Sequence, residues 1–415
     1  MLGQLILLYF LPAALDSYQG FQYTYPLVLR VFGFVFLGTV SVEAIILFRR
    51  KTHSTLSANA NRATLRFKTT GSPLTDTPAA TADAADGRSS LTPFLGVVAL
   101  TGIALVAYLE IGSYASQVNA EYRVDLLTQI AKAFSAVQVA AIASALFDLL
   151  RQYKSRRAWV FLWLIVIGDG VVSYRVGFLI IVAGSVFTVA VSGLLLGVIR
   201  ARAVVALFLV ALIAMPTAFE VRNAIRSETR AFTTENPLGR LRQDTILAQI
   251  QTSSPSGSVQ VPDMGEIMRY AIPKFLDTAR PPLDVPNQIS LATGGSYANS
   301  NTFTQPGNIY YLYGGLLVTA FYGFMAGLVA LVRSRAKGLL GIVLLVAICS
   351  DFLYVGGSFP GTVAGFGQTL FFSLASVCLA EALRRLSSGL NKSIVNTLPL
   401  HRPSSIVATS SKPPL

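Results

Sequence analysis

The chain has 415 residues, of which 53% are hydrophobic and only 13% charged, with a formal net charge of +13, against about 25% charged in an average soluble domain. That balance excludes an ordinary soluble globule, and so little polar surface turns the positive charge away from nucleic acid as a partner. Cys349 and Cys378, the only cysteines, both lie in apolar runs and exclude a disulfide or thiolate-metal framework. His53 and His401 are the only histidines, which removes the usual histidine-based catalytic and metal sites from most of the chain.

Apolar runs of spanning length, roughly 17 to 25 residues, occur at 27 to 48, 91 to 109, 126 to 149, 177 to 199, 203 to 219, 309 to 332, 338 to 355 and 362 to 383. Two further runs, 2 to 15 and 158 to 168, are short, and the second reaches Tyr174 only by taking in Asp169. The first has no cationic start and no small-residue cleavage site, so it reads as a retained segment and not a signal peptide.

Positive charge tests the count. Lys and Arg cluster at Arg49 to Lys51, at Arg151 to Arg157, at Arg200 and Arg202, at Arg333 to Lys337, and at Arg384 and Arg385. Ten spans with a cytoplasmic N-terminus place all five clusters on the cytoplasmic side, and dropping either short span breaks the agreement. The expectation is an all-α polytopic integral membrane protein of about ten transmembrane helices, with both termini cytoplasmic.

The domain reading follows. Residues 1 to 51 hold the first two spans, 52 to 90 form a disordered cytoplasmic linker rich in Ala, Thr and Ser, and 91 to 219 hold spans three to seven. Residues 220 to 308 form one large extracytoplasmic loop with short helices, 309 to 385 hold the last three spans, and 386 to 415 form a disordered cytoplasmic tail. In the large loop, eight Lys and Arg balance eight carboxylates. Its ILAQIQ and MGEIMRYAIPKFL stretches carry apolar residues at helical spacing, which predicts an ordered layer.

Three constellations can carry chemistry. The first is GDGVVSYRVGFL, residues 168 to 179, which places Arg175 at an outer span end. Its guanidinium fork suits a phosphate; the alternative is an interfacial residue snorkelling to water or paired with Asp169. The second is FEVRNAIRSETR, residues 219 to 230, where Arg222, Arg226 and Arg230 recur every four residues and form one cationic stripe if the helix continues outward. A stripe of this kind steers a pyrophosphate; the alternative is a solvated face balanced by Glu220 and Glu228. The third is GGSYANSNTFTQPGNIYYLYGGLLVTAFYGFMAGL, residues 294 to 328, whose Asn301, Tyr310 and Tyr311 offer amides and stacking faces for a sugar. Tyrosines at a bilayer interface also serve simply as anchors. Asp351, near the end of the ninth predicted span, is a further intramembrane acid, whereas Glu381 has Arg384 and Arg385 one turn away.

These features together resemble the O-antigen and exopolysaccharide repeat-unit polymerases, the Wzy type. The resemblance covers roughly residues 90 to 385 and rests on five features: about ten spans, Arg175 followed by Gly177 at an outer span end, one large late loop, the proline-bounded IPKFLDTARPP of Ile272 to Pro282, and the aromatic-then-glycine entry from Tyr310 to Gly315. It implies a glycosyltransferase of the inner membrane that polymerises undecaprenyl-pyrophosphate-linked oligosaccharide for O-antigen, capsule or exopolysaccharide. It also implies a chain-length regulator and a flippase of the same pathway as partners. Outer arginines would bind pyrophosphate, which maps onto Arg175 and, beyond it, onto Arg222, Arg226 and Arg280. Because the leaving group is already good, positioning and charge stabilisation carry the reaction without a metal or other cofactor. Asp263, Glu266, Asp277 and Asp284 are the unranked candidate bases.

The related O-antigen ligases carry a histidine base in the large loop, and this loop has none. A lipid-linked oligosaccharide transporter is the non-enzymatic alternative. Such folds show internal repeats and discontinuous spans; the sequence shows no duplication, and its short fifth span is the one discontinuity it displays. Membrane transferases using polyprenyl-phosphate sugars show an acidic pair in the first outer loop, where this chain has only Asp16.

Overall fold

The computed structural model describes residues 29 to 42, 90 to 111, 126 to 151, 155 to 176, 180 to 227, 262 to 273, 276 to 280, 288, 305 to 335, 338 to 353 and 358 to 397. Every regular element among them is helical. In chain order these are α1 (Leu29–Val42), α2 (Thr92–Tyr108), α3 (Leu126–Ala136), α4 (Gln138–Arg151), α5 (Arg156–Val176), α6 (Ile180–Leu195) and α7 (Ala201–Ser227). There follow α8 (Met264–Tyr270), α9 (Gln305–Tyr313), α10 (Gly315–Arg335), α11 (Leu339–Ala347) with a π-turn at Ile348–Phe352, and α12 (Phe359–Thr397).

Among the described residues, four spans are long and apolar enough to cross a bilayer: Ile130–Arg151, Arg156–Val176, Gly315–Ser334 and Phe359–Leu386. Shorter apolar helices at Leu29–Val42, Thr92–Tyr108, Ile181–Leu195, Ala201–Ala211 and Leu339–Phe352 accompany them. The predicted run at 2 to 15 and nearly all of the predicted linker lie outside the described residues.

Helix α4 sits at the centre. Every side chain from Val139 to Leu146 is buried, because its QVAAIASAL sequence supplies small residues that let neighbouring backbones approach from all sides. In lipid, where neighbouring tails are as apolar as leucine, such close contact is what holds helices together. Leu95 and Ala99 of α2, Leu162 and Ile165 of α5, and Ile342, Val343 and Val346 of α11 close around it. At one end of α4, Asp148 accepts hydrogen bonds from Ser90 and Thr92, and Ser144 Oγ lies 3.0 Å from Thr92 Oγ1. A carboxylate is thereby set against the α2 N-terminus, whose dipole favours it. A second cluster joins α1, α10, the π-turn and the start of α12 through Val35, Tyr322, Cys349, Phe352 and Phe359.

Several boundaries differ from those read in the sequence. The short fifth run is one continuous helix of 21 residues, since the hydrogen bonds that Asp169 accepts let an acid sit inside it. Interruptions fall elsewhere. At Val137 the amide turns back to Phe134 O at 3.1 Å, which separates α3 from α4. Gly314, with φ +84°, breaks the expected span from 309 to 332 into α9 and α10; only glycine adopts that conformation without strain. The ninth predicted span ends in the π-turn that carries Asp351. Helix α7 continues to Ser227, α9 begins at Gln305 inside the predicted loop, and α12 runs to Thr397, past the predicted start of the tail.

The α2–α3 contact is tight at Gly102, where an added Cβ would stand 2.4 Å from the backbone of Phe134 and Ser135. Gly102→Ala should therefore cost about 1 to 3 kcal/mol, the usual range for overpacking, and lower the thermal midpoint of the detergent-purified protein. The same change at Gly33, which has open space around it, should leave the midpoint in place.

Candidate functional site

The segment after Pro262 folds back onto the helix bundle. Asp263 caps α8 with a capping box: its side chain accepts from the backbone of Glu266, and Glu266 accepts from the Asp263 amide at 3.3 Å. Ile267 and Tyr270 point into the bundle and are buried, while Asp263 and Glu266 stay exposed. The end of α8 rests on α12 at Gly367, where a Cβ would come within 2.2 Å of Ala271 O. Gln368 Nε2 donates to Tyr270 O at 3.4 Å.

Two of the predicted residues hold this segment in shape. Arg280 donates from one nitrogen to Tyr270 O at 2.9 Å and Ile272 O at 2.8 Å, satisfying carbonyls at the end of α8. Arg269 grips Asp277 with two hydrogen bonds of 2.8 Å. That guanidinium holds the Asp277 carboxyl below the usual aspartate range, which makes Asp277 a poor base.

The polar stretch before α10 meets this segment. Tyr313 Oη donates to Pro262 O at 2.7 Å. Gln305 and Asn308 are fully buried on α9. Gln305 Oε1 accepts from Tyr322 Oη at 3.0 Å, and Asn308 Oδ1 accepts from the Phe359 amide at 3.2 Å. Among the described residues, Gln305 Nε2, Asn308 Nδ2 and Asp351 Oδ2 are buried without a hydrogen-bond partner. Buried polar atoms in native proteins are normally satisfied by protein or ordered water, so these two donors and one acceptor mark places for water or a hydroxyl-bearing ligand. Phe321 packs against Phe352 and Phe359, and Phe352 against Phe366, which ties α10, the π-turn and α12 together around them. Tyr310 stands 6.0 Å, ring to ring, from Phe34 of α1. Tyr310 and Tyr311 are half-buried.

Arg175 lies on different elements. It closes α5 and pairs with Glu110, just past α2, at 3.1 Å. Its expected alternative partner, Asp169, is engaged elsewhere. Asp169 is buried in mid-helix and accepts hydrogen bonds from Gln138 and Ser185. Glu110 itself has φ +49°, a left-handed conformation that costs a non-glycine residue about 1 kcal/mol. The ion pair leaves Arg175 about half exposed, and exposed pairs are worth about 0 to 1 kcal/mol.

The backbone of α7 carries Arg222 and Arg226 one turn apart on a helix that does continue past residue 220. Arg230, Asp284 and Asn301 lie outside the described residues. The contacts of Arg175 and those of Arg280 lie on separate elements, with α2 and α5 for the first and α8 for the second. Among the described residues, no group of three or more His, Cys, Asp or Glu side chains is placed to hold a metal ion.

Sequence reasoning missed Gln138, Ser185, Gln305 and Asn308. A glutamine inside an apolar run was a usable signal, because a polar side chain there needs a partner; that this partner is Asp169 is a tertiary fact. Comparison with protein-family models, with curated proteins and with solved structures finds no match to the chain.

Asp169→Asn should keep both hydrogen bonds through its remaining carbonyl and change the thermal midpoint little. Asp169→Leu removes the acceptor shared by Gln138 and Ser185 and should cost about 1 to 3 kcal/mol, read as a lowered midpoint. The Arg269–Asp277 clasp should persist at all pH values above the ordinary aspartate pKa of about 3.9 and open as pH falls through the depressed folded-state value. Protease cleavage within 262 to 280 should therefore rise only in strong acid, whereas Asp277→Asn should be cleaved readily at neutral pH.

Proposed function

We propose that the chain is an integral membrane glycosyltransferase that polymerises polyprenyl-pyrophosphate-linked oligosaccharide repeats, with about ten spans and the 220 to 308 segment on the outer side of the inner membrane. The observation that carries this reading is the meeting of its two most distinctive sequence segments. The 262 to 280 segment and the Gln305 to Gly315 segment are far apart in the chain, yet Tyr313 bonds Pro262 and both pack on α12. An amide-rich and aromatic-rich region covered by a docked loop helix is what recognition of a polyhydroxylated substrate requires.

In the proposed reaction an acceptor hydroxyl oxygen attacks the anomeric carbon of the donor sugar. The bond from that carbon to the pyrophosphate oxygen breaks, the lipid pyrophosphate leaves with the electron pair, and the hydroxyl proton passes to a carboxylate. Arg175 is assigned to the departing pyrophosphate, where a guanidinium offsets charge that grows in the transition state. Of the candidate bases, Asp263 and Glu266 are exposed and keep lone pairs free beyond the capping box, whereas Asp277 is held by Arg269.

A second reading, a transporter of lipid-linked oligosaccharide, draws on the interruptions at Val137, at Gly314 and in the π-turn, since broken helices near the bilayer midplane often line transport sites. Deleting the gene separates the two. Single lipid-linked repeats on the outer face and no long polysaccharide support the polymerase; repeats trapped on the cytoplasmic face support the transporter.

Within the polymerase reading, Arg175→Ala should lower polymer formation by about 10²-fold or more while Glu110→Gln retains it. Equal loss in both variants would reduce the pair to a structural clasp and remove Arg175 from the pyrophosphate site.

A further inference from the structure

Helix α8 and the described residues just after it carry some apolar side chains into the bundle and others away from it. Ile267 and Tyr270 are buried, while Met264, Met268, Ile272 and Leu276 are exposed, Met268 and Leu276 at 65% and 59%. In a loop bathed in water this would be an unexplained apolar patch. Its position along α12 supplies the explanation.

The charged end of α12 begins at Glu381, Arg384 and Arg385. About 20 helical residues cross the hydrocarbon of a bilayer, so counting back from Ala380 puts the opposite edge near Gly361. Gly367, on which Ala271 rests, then lies about 9 Å inside that edge at the helical rise per residue. The exposed side of α12 continues the same surface, since Phe371, one turn beyond Gly367, is 41% exposed on a membrane-crossing helix. Among the described charges, Asp263 and Glu266 cluster at the start of α8, and Arg269 is paired with Asp277.

The geometry points to a membrane-contacting element: Met264, Met268, Ile272 and Leu276 lie among the acyl chains of the bilayer beside α12, and the 264 to 276 segment is an interfacial wedge, not a water-borne loop. Buried apolar area together with a polar rim is how amphipathic helices hold to a bilayer interface. The flexible methionines suit a fluid partner. The wedge places the region around Gln305, Asn308 and Asp351 next to lipid, so a lipid-borne ligand would reach it sideways. The inference does not depend on the polymerase reading, and its test makes no use of enzymatic activity.

The test uses the full chain in lipid nanodiscs, with Cys349 and Cys378 replaced by alanine and a nitroxide attached at Met268→Cys or Leu276→Cys. Collision rates with molecular oxygen, which concentrates in lipid, and with a water-soluble nickel chelate are read by power saturation. Labels at both positions should show an oxygen-to-nickel ratio severalfold above a label at exposed Thr278→Cys and similar to one at Phe371→Cys. Ratios at Met268 and Leu276 equal to that at Thr278 would overturn the proposal. Because all four side chains are at the surface, labelled chains should stay monodisperse in size-exclusion chromatography; where one does not, Met264→Cys provides the same reading.

Discussion

The structure depends on the close packing of α4, a helix with no free face. Alanine and serine fill it from Gln138 to Ala145, and five other elements take their positions from it. In a bilayer the hydrophobic effect does not push helices together, so contact depends on how near backbones can come. A larger residue in place of Ala140, Ala143 or Ala145 would separate α2, α5 and α11 at once, because each of these alanines is completely buried.

The same dry surroundings set the rule for polar groups. An unsatisfied donor or acceptor is expensive there, and several of those described are paired by a neighbour from another helix. Ala136 O, left free by the interruption at Val137, accepts from Ser373 of α12 at 3.2 Å. Asp169 is held by donors from α4 and α6. Against that background the unpartnered Gln305, Asn308 and Asp351 atoms stand out, because they gather near the α9, π-turn and α12 junction where the loop segment also docks.

That docking divides the predicted residues by role. Asp263, Glu266, Asp277 and Arg280, with Arg269 as the partner of Asp277, build α8 and fasten the turn after it, so their first task is architectural. Arg175 differs from them: its single described partner, Glu110, is as exposed as itself and held on a strained backbone. A weak, solvent-screened pair is easily exchanged for another anion, whereas the bidentate Arg269–Asp277 clasp is not.

The amino-acid sequence carried the all-helical character and the runs of membrane-spanning length, because a long apolar run with few charges favours a backbone whose hydrogen bonds close within the segment. It also marked where α2, α5, α6 and α12 lie, through runs bounded by Arg156, Arg200, Arg384 and their neighbours. It pointed to Arg175 and to the polar entry into α9 as well, because those residue types are costly at such positions. Long-range packing decided that Asp169 pairs with Gln138 and not with Arg175, that Gly314 and Val137 interrupt two runs that read as continuous, and that the MGEIMRY helix packs against α12 at Gly367. The reason is physical: hydropathy averages over a window and records how much apolar surface a segment carries. Which neighbour meets a polar side chain, and how deep a loop helix settles, depends on contacts between residues far apart in the chain.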